Sequence, residues 1–350
     1  MKKLIIIGGG FAGAKIAKSL ENYLETTLID SKDYFEFTPG VLRTIINPNH
    51  LKKIQVLHSH YLKKTKIVKS CVKKISHKEV ILQNNQKIPF DYLVIASGSR
   101  YNLPFKEKDI VIATRGSHIK NYHNVLEKTN NVTIIGGGLV GTELAGEISW
   151  KYPDKKITII HSHNKIILRN NHKSSKYAQK YLEKKGVKII TKEKASTKEK
   201  DILTTNEGTK ISSDIVFLCT GITPNSDFIN KKADIINEKK QIKVNEFLQL
   251  EDYKNIFAAG DVTNINEEKT AQNAEKQAGI VIKNIIRLES NKQLVKYNAK
   301  PRIMVISLGK YNGILEYKNF VLTGIIPAFL KWFVEWKTMI RYKSRLHKYL

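Results

Sequence analysis

The chain is short of cysteine, of arginine, of acid and of long apolar runs. Cys71 and Cys219 are the only cysteines in 350 residues. They make neither a disulfide framework nor a Cys-x-x-Cys redox pair, so a reducing, cytoplasmic setting is expected. No apolar run approaches the roughly 18–20 residues of a spanning helix, and an ion-pumping membrane protein is not expected. Acidic residues number 32 against 60 Lys and Arg, a formal net charge of +28. Only eight of those 60 are arginine. Nucleic-acid readers use arginine forks and stacking aromatics. Neither clusters here, so no specific nucleic-acid partner is expected. Lysine is instead spread along the chain among asparagine and isoleucine, the bias of an AT-rich genome. Attraction to an anionic surface is the competing reading. No Pro- or Ser-rich linker interrupts the sequence, so its two or three domains should pack closely.

Two glycine fingerprints stand out against this background. Gly8-Gly9-Gly10-Phe11-Ala12-Gly13 follows the apolar run Leu4–Ile7, and Gly136-Gly137-Gly138-Leu139-Val140-Gly141 follows Val132–Ile135. Each reads as strand, tight turn and helix. In this motif the first glycine allows the bend, the second admits a pyrophosphate, and the third lets helix and strand pack closely. The helix N-terminus offers free N–H groups to the phosphates. The flanks repeat as well. Asp91-Tyr92-Leu93-Val94-Ile95-Ala96-Ser97-Gly98 and Asp214-Ile215-Val216-Phe217-Leu218-Cys219-Thr220-Gly221 are both apolar strands running into a small-residue turn. The pattern predicts an α/β protein with two Rossmann-like dinucleotide-binding units and a C-terminal α+β region. The expected divisions are 1–112, 113–225, 226–300 and 301–350.

The ends of the second strands distinguish the two units. Asp30 stands 17 residues beyond Gly13, placed to accept hydrogen bonds from an adenosine ribose. The matching strand, 157–160, runs into His161. An acid there would repel a 2′-phosphate, whereas His161 tolerates one, so NADH and NADPH are both expected. Gly260-Asp261 ends another buried strand, and a helix of about 270–288 follows. Asp261 is placed to bind a ribityl chain, with Ala271 at the start of the helix that faces the flavin. Glu143, in the first turns after Gly141, is read from sequence as a carboxylate favoured by a helix N-terminus.

With GGGFAG, DYLVIASG, GGGLVGTELAGEI, FLCTG and IFAAGD in place, the chain resembles the two-dinucleotide flavoprotein reductases. It is most similar to the type II NAD(P)H:quinone oxidoreductases and the ferroptosis-suppressor branch of apoptosis-inducing-factor-like proteins. The segment Tyr152–Ser162, Leu218–Ile222 and Trp336-Lys337-Thr338-Met339 carry that likeness. The resemblance implies non-covalent FAD contacted by Gly10, Phe11, Ala12, Lys32, Arg43, Val72 and Asp261. It implies two Rossmann-like FAD/NAD(P)-binding domains, the second inserted in the first, and further that Glu143 and Lys337 lie near flavin and quinone. Ala96, Gly98, Gly221 and Gly260 complete the expected cofactor-binding turns. The absence of Cys-x-x-Cys argues against disulfide reduction, and a sulfide:quinone oxidoreductase would need further redox cysteines.

Near the C-terminus Phe329, Trp332, Phe333, Trp336, Met339 and Ile340 recur at helical spacing. Lys331, Lys337, Arg341, Lys343 and Arg345 lie off that face or beyond it. Such a helix suits a bilayer interface, or packs on the FAD domain. The resulting expectation is a non-proton-pumping FAD-dependent NAD(P)H:quinone oxidoreductase, peripheral on the cytoplasmic face of an anionic membrane, with a homodimer left open. Two alternatives stand beside it: a soluble reductase of a ferredoxin-like protein, and a basic flavin-containing DNA-binding or signalling protein.

Overall fold

The structure, a computed structural model, describes residues 1–76, 78–101, 110–112, 119–229, 234–301 and 303–344. Its centre is a pair of five-stranded parallel sheets. In the first, Lys3–Ile7 is the middle strand, flanked by Glu25–Asp30 and Tyr92–Ile95, with Lys66–Lys69 and Ile256–Ala258 outside them. In the second, Asn131–Ile135 is flanked by Lys156–His161 and Ile215–Leu218, with Lys188–Thr191 and Ile110–Ile112 outside. Leu4–Ile7, Tyr92–Ile95 and Ile215–Leu218 are buried throughout. Unbroken apolar runs therefore sit where both faces of a sheet are covered. The helices Phe11–Leu20 and Ala271–Glu289 pack together beside the first sheet. The helix Leu139–Lys151 takes the corresponding place on the second.

The chain passes between the two units through an antiparallel pair, Ser99–Tyr101 with Ile222–Pro224. Ser97 Oγ donates to the Asn225 carbonyl at 2.6 Å, and Asn225 Nδ2 donates back to the Ser97 carbonyl at 2.9 Å. The strand Ile110–Ile112 pairs with Ile215–Leu218 and so belongs to the second sheet. The division expected at 112 thus falls past a strand of the inserted unit. Residue 113 itself lies outside the described residues.

Ile303–Ser307, Gly313–Tyr317 and Phe320–Gly324 form a three-stranded antiparallel sheet. The final helix, Ile325–Lys343, packs on it. The sheet is tied to the second unit by Glu316, whose carboxylate accepts from Asn170 Nδ2, the Asn171 N–H and Ser174 Oγ at 3.2, 3.0 and 2.6 Å. Gly146 meets the backbone of Leu308 and Gly309, where a Cβ would stand 2.8 Å from Leu308 Cα. These ties hold the last helix against the second fingerprint.

Candidate functional site

Both fingerprints form the same cradle. Gly8 has φ +97° and Gly136 +109°; a Cβ on either would stand 2.3 Å from the carbonyl oxygen of Ala96 or Cys219. Those carbonyls belong to the residues that close each unit's apolar strand. Where a Cβ would be built on Gly10 or Gly138, nothing lies within 4 Å. The second turn position is therefore open to a ligand, as a pyrophosphate needs. Gly13 and Gly141 are closed instead, with a Cβ falling within 2 Å of the Gly8 or Gly136 carbonyl oxygen. Phe11 and Ala12 are buried in the first turn of their helix. Gly98 and Gly221 both have positive φ with open space around them.

In each cradle the residue ending the neighbouring strand caps the middle glycine. Asp30 Oδ2 accepts the Gly9 N–H at 2.6 Å, and Oδ1 accepts the Lys32 N–H at 3.0 Å. Burial pushes the Asp30 carboxyl upward, but His58 and the Lys32 and Gly9 N–H groups together hold it below the ordinary carboxylate value. In the second cradle His161 Nδ1 accepts the Gly137 N–H at 3.1 Å. Burial, aided by His163, lowers the His161 pKa below the ordinary 6.5. The Lys165 backbone works in the opposite direction without reversing the shift; a neutral ring with its proton on Nε2 follows.

The third expected contact region is also assembled. Gly260 has φ +86°, and its N–H donates to Gln277 of the helix Ala271–Glu289 at 2.6 Å. Asp261 accepts from Ser99 Oγ at 2.8 Å. Burial raises its carboxyl above the ordinary value. Ala271 opens the helix, capped by Thr270. Val72 is half-buried at the start of a separate antiparallel sheet. The two open cradles and the half-buried Asp261 carboxyl fit two dinucleotides.

Glu143 and Arg43 meet in a small pocket lined also by Pro39, Gly40, Leu42, Glu147, Ser307, Lys331, Trp332 and Glu335. Glu143 Oε1 accepts from Lys331 Nζ at 2.7 Å and from the Ser307 N–H at 2.9 Å. Arg43 pairs with Glu147 at 3.0 Å. Burial works against its charge, but Glu147, Glu335 and Glu143 together raise its pKa. Glu147 Oε2 is buried with no hydrogen bond among the described residues. Glu335 lies 3.1 Å from His50 Nε2.

Lys337 is exposed. The last helix buries Ala328, Glu335, Thr338, Met339 and Tyr342, and Lys337, two residues past Glu335, points about 200° around the helix from it. Lys331, four residues before Glu335, is the lysine that reaches Glu143. The aromatic face also divides. Phe329, Trp332, Phe333 and Trp336 are exposed, at 58, 48, 38 and 49%, whereas Met339 is 4% exposed and joins the core. Ile325 and Ile326 extend the exposed stripe. Among the described residues no helix is long and apolar enough to cross a membrane. Arg345 lies outside the described residues.

Sequence reasoning does not reveal Lys331, Ser307, Glu147, Glu335 or His58. One signal was available: Glu335 is the only acid of the last helix and stands four residues after Lys331. Cys219, read as a small buried hydrophobe, is buried, and burial pushes its thiol up to about 12, which leaves it inert as a redox group.

The profile of the pyridine nucleotide-disulphide oxidoreductases matches residues 2–278. Apoptosis-inducing factor homolog A of Dictyostelium discoideum is 35% identical over 94% of this chain and 88% of its own. Human ferroptosis suppressor protein 1 is 29% identical over 96% of this chain and 95% of its own. The sulfide:quinone oxidoreductase of Aquifex aeolicus matches the fold with a TM-score of 0.86, at 20% identity, over 98% of this chain and 92% of that one.

Proposed function

The chain belongs to the pyridine nucleotide-disulphide oxidoreductase family, and from that premise we propose that it is an FAD-dependent NAD(P)H:quinone oxidoreductase working at a membrane surface. One observation carries the quinone reading. The last helix gives Lys331 to Glu143 on its inner side and exposes Phe329, Trp332, Phe333 and Trp336 on the outside. A polar pocket is thereby placed directly beneath an aromatic, apolar stripe, as an acceptor arriving from a lipid phase requires. The relative from Aquifex acts on sulfide and quinone. This chain shares its fold without a cysteine pair for the sulfide half.

FAD is assigned to the first cradle, where Asp30 would hold the adenosine ribose and the N–H groups after Gly10 would hold the pyrophosphate. Asp261 is assigned to the ribityl hydroxyls. NAD(P)H is assigned to the second cradle, where neutral His161 neither repels nor strongly attracts a 2′-phosphate. Bound FAD supplies the redox chemistry between the two-electron donor and the acceptor. The protein's part is to align the partners and to hold protons. Glu143 and Lys331 form a hydrogen-bonded pair beside the acceptor route, able to supply a proton to a reduced oxygen. Arg43 and Glu147 fix the pocket wall opposite them.

The test is direct. Purified protein should be yellow, and should oxidise NADH and NADPH faster when a short-chain quinone is added. It should float with anionic liposomes, and Phe333→Ala with Trp336→Ala should reduce flotation while soluble-quinone turnover persists. A flavin reduced by NADH but not reoxidised by quinone would overturn the acceptor, and turnover restored by a ferredoxin would replace it. Salt-sensitive DNA binding without turnover would favour the basic binding protein instead.

A further inference from the structure

His58 is fully buried directly behind the first cradle. A Cβ built on Gly9 would stand 2.4 Å from its Cε1, 2.5 Å from its Nε2 and 2.7 Å from Asp30 Oδ2. Glycine at position 9 thus leaves room for an imidazole and a carboxylate to share one space. His58 Nδ1 lies 2.6 Å from the Tyr61 hydroxyl. Its Nε2 lies 3.7 Å from Asp30 Oδ2 and has no hydrogen bond among the described residues.

The Tyr61 hydroxyl decides where the imidazole proton sits. Burial raises the phenol pKa, so the phenol keeps its proton. It has no other acceptor among the described residues, and so donates to Nδ1. With Nδ1 taken up as an acceptor, the ring N–H is on Nε2, which faces the Asp30 carboxylate. The other tautomer would turn a lone pair toward a carboxylate in a buried site, with nothing to compensate. Tyr61 is itself held by an edge contact with Tyr342 of the last helix, ring centroids 4.8 Å apart.

We propose that His58 is a positioning residue for FAD binding: Tyr61 fixes its tautomer, and its Nε2–H orients the Asp30 carboxylate toward the adenosine ribose. Among the described residues the twin cradle has no such group, because the place behind Gly137 is taken by Ile166 and the His161 ring itself. The inference rests on the assignment of FAD to the first cradle.

A double-mutant cycle on the full-length holoprotein tests it, with FAD dissociation followed by recovery of flavin fluorescence. His58→Leu should weaken FAD binding about tenfold in the otherwise unchanged protein, because a buried carboxylate loses the N–H that faces it. In the Asp30→Asn background the same change should cost less than about twofold, because the charge it acts on is gone. His58→Gln, whose amide can put an N–H in the place of Nε2, should restore most of the affinity. Tyr61→Phe, nearly isosteric, should weaken binding and serves if the leucine variant does not fold. Equal losses from His58→Leu in both backgrounds, or no loss at all, would overturn the role of His58. Unchanged FAD affinity in Asp30→Asn would overturn the site assignment, and the role of His58 with it.

Discussion

The two cradles correspond position by position and differ in what stands around them. Gly8 matches Gly136, Gly10 matches Gly138 and Gly13 matches Gly141, each pair with the same close or open surroundings. The strand-end residue caps the middle glycine in both, as Asp30 in one and His161 in the other. Two residues past the last glycine the charge reverses. Lys15 donates to the Glu275 carbonyl at 2.8 Å, within the helices of the first unit, whereas Glu143 accepts from Lys331 and Ser307 at the pocket. Backbone geometry alone therefore makes a dinucleotide cradle. The side chains at its rim are what differ between the two.

The strongest way to break the correspondence is at its glycines. Gly8→Val forces a side chain into a left-handed turn against the Ala96 carbonyl and should give a colourless protein. Gly136→Val should leave the flavin absorbance in place while abolishing NAD(P)H oxidation. If both variants lose flavin, the two cradles are not functionally separate. Next in size is the reversed charge. Glu143→Gln should lower quinone turnover about 100-fold, as loss of a proton-handling group does. Lys15→Met at the twin position should leave turnover within about twofold. An inert Glu143→Gln would remove the pocket from the reaction. The contrast extends to the last helix, where Lys331→Met should be costly and Lys337→Met mild; the reverse result would return the role to Lys337.

A third change sharpens the difference at the strand ends. His161→Asp should cut kcat/KM for NADPH roughly 10- to 100-fold, the scale of a like-charge contact near a protein surface, and spare NADH. The smallest effect is one of pH. A 2′-phosphate favours the cationic ring, so NADPH binding should gain relative to NADH as pH falls through the lowered His161 pKa. Above that value the ring is neutral and the ratio should be flat. Protonation also adds a hydrogen to Nδ1 and breaks its bond with the Gly137 N–H. Local stability of the turn should therefore be complete above the ordinary His pKa and decline as pH falls through the lowered one. A pH-independent NADPH to NADH ratio between pH 5 and 8, taken alone, would detach His161 from cofactor choice.

Much of this could be read in advance because it is local. Strand, turn, helix and capping residue fall within some 30 residues, and their spacing is enforced by backbone geometry whatever surrounds them. Asp30 and His161 stand at strand ends for that reason, and Asp261 follows its buried strand for the same one. The last helix was legible in its period but not in its rotation. An apolar stripe of Phe, Trp and Met satisfies helical spacing, yet the helix turns Ala328, Glu335 and Met339 inward and leaves the tryptophans out. That choice depends on the sheet beneath it and on the acceptors waiting there, which no period encodes.

The sequence by itself determined two dinucleotide cradles, their order and the different chemistry of their capping residues, because each is built from neighbours along the chain. Only the tertiary structure decided that Lys331 rather than Lys337 meets Glu143, across 188 positions. It likewise decided that His58 stands behind Gly9 with its donor toward Asp30. Such meetings come from the packing of separate elements, where burying a charge or a ring demands a partner, and spacing along the chain carries no record of which partner that will be.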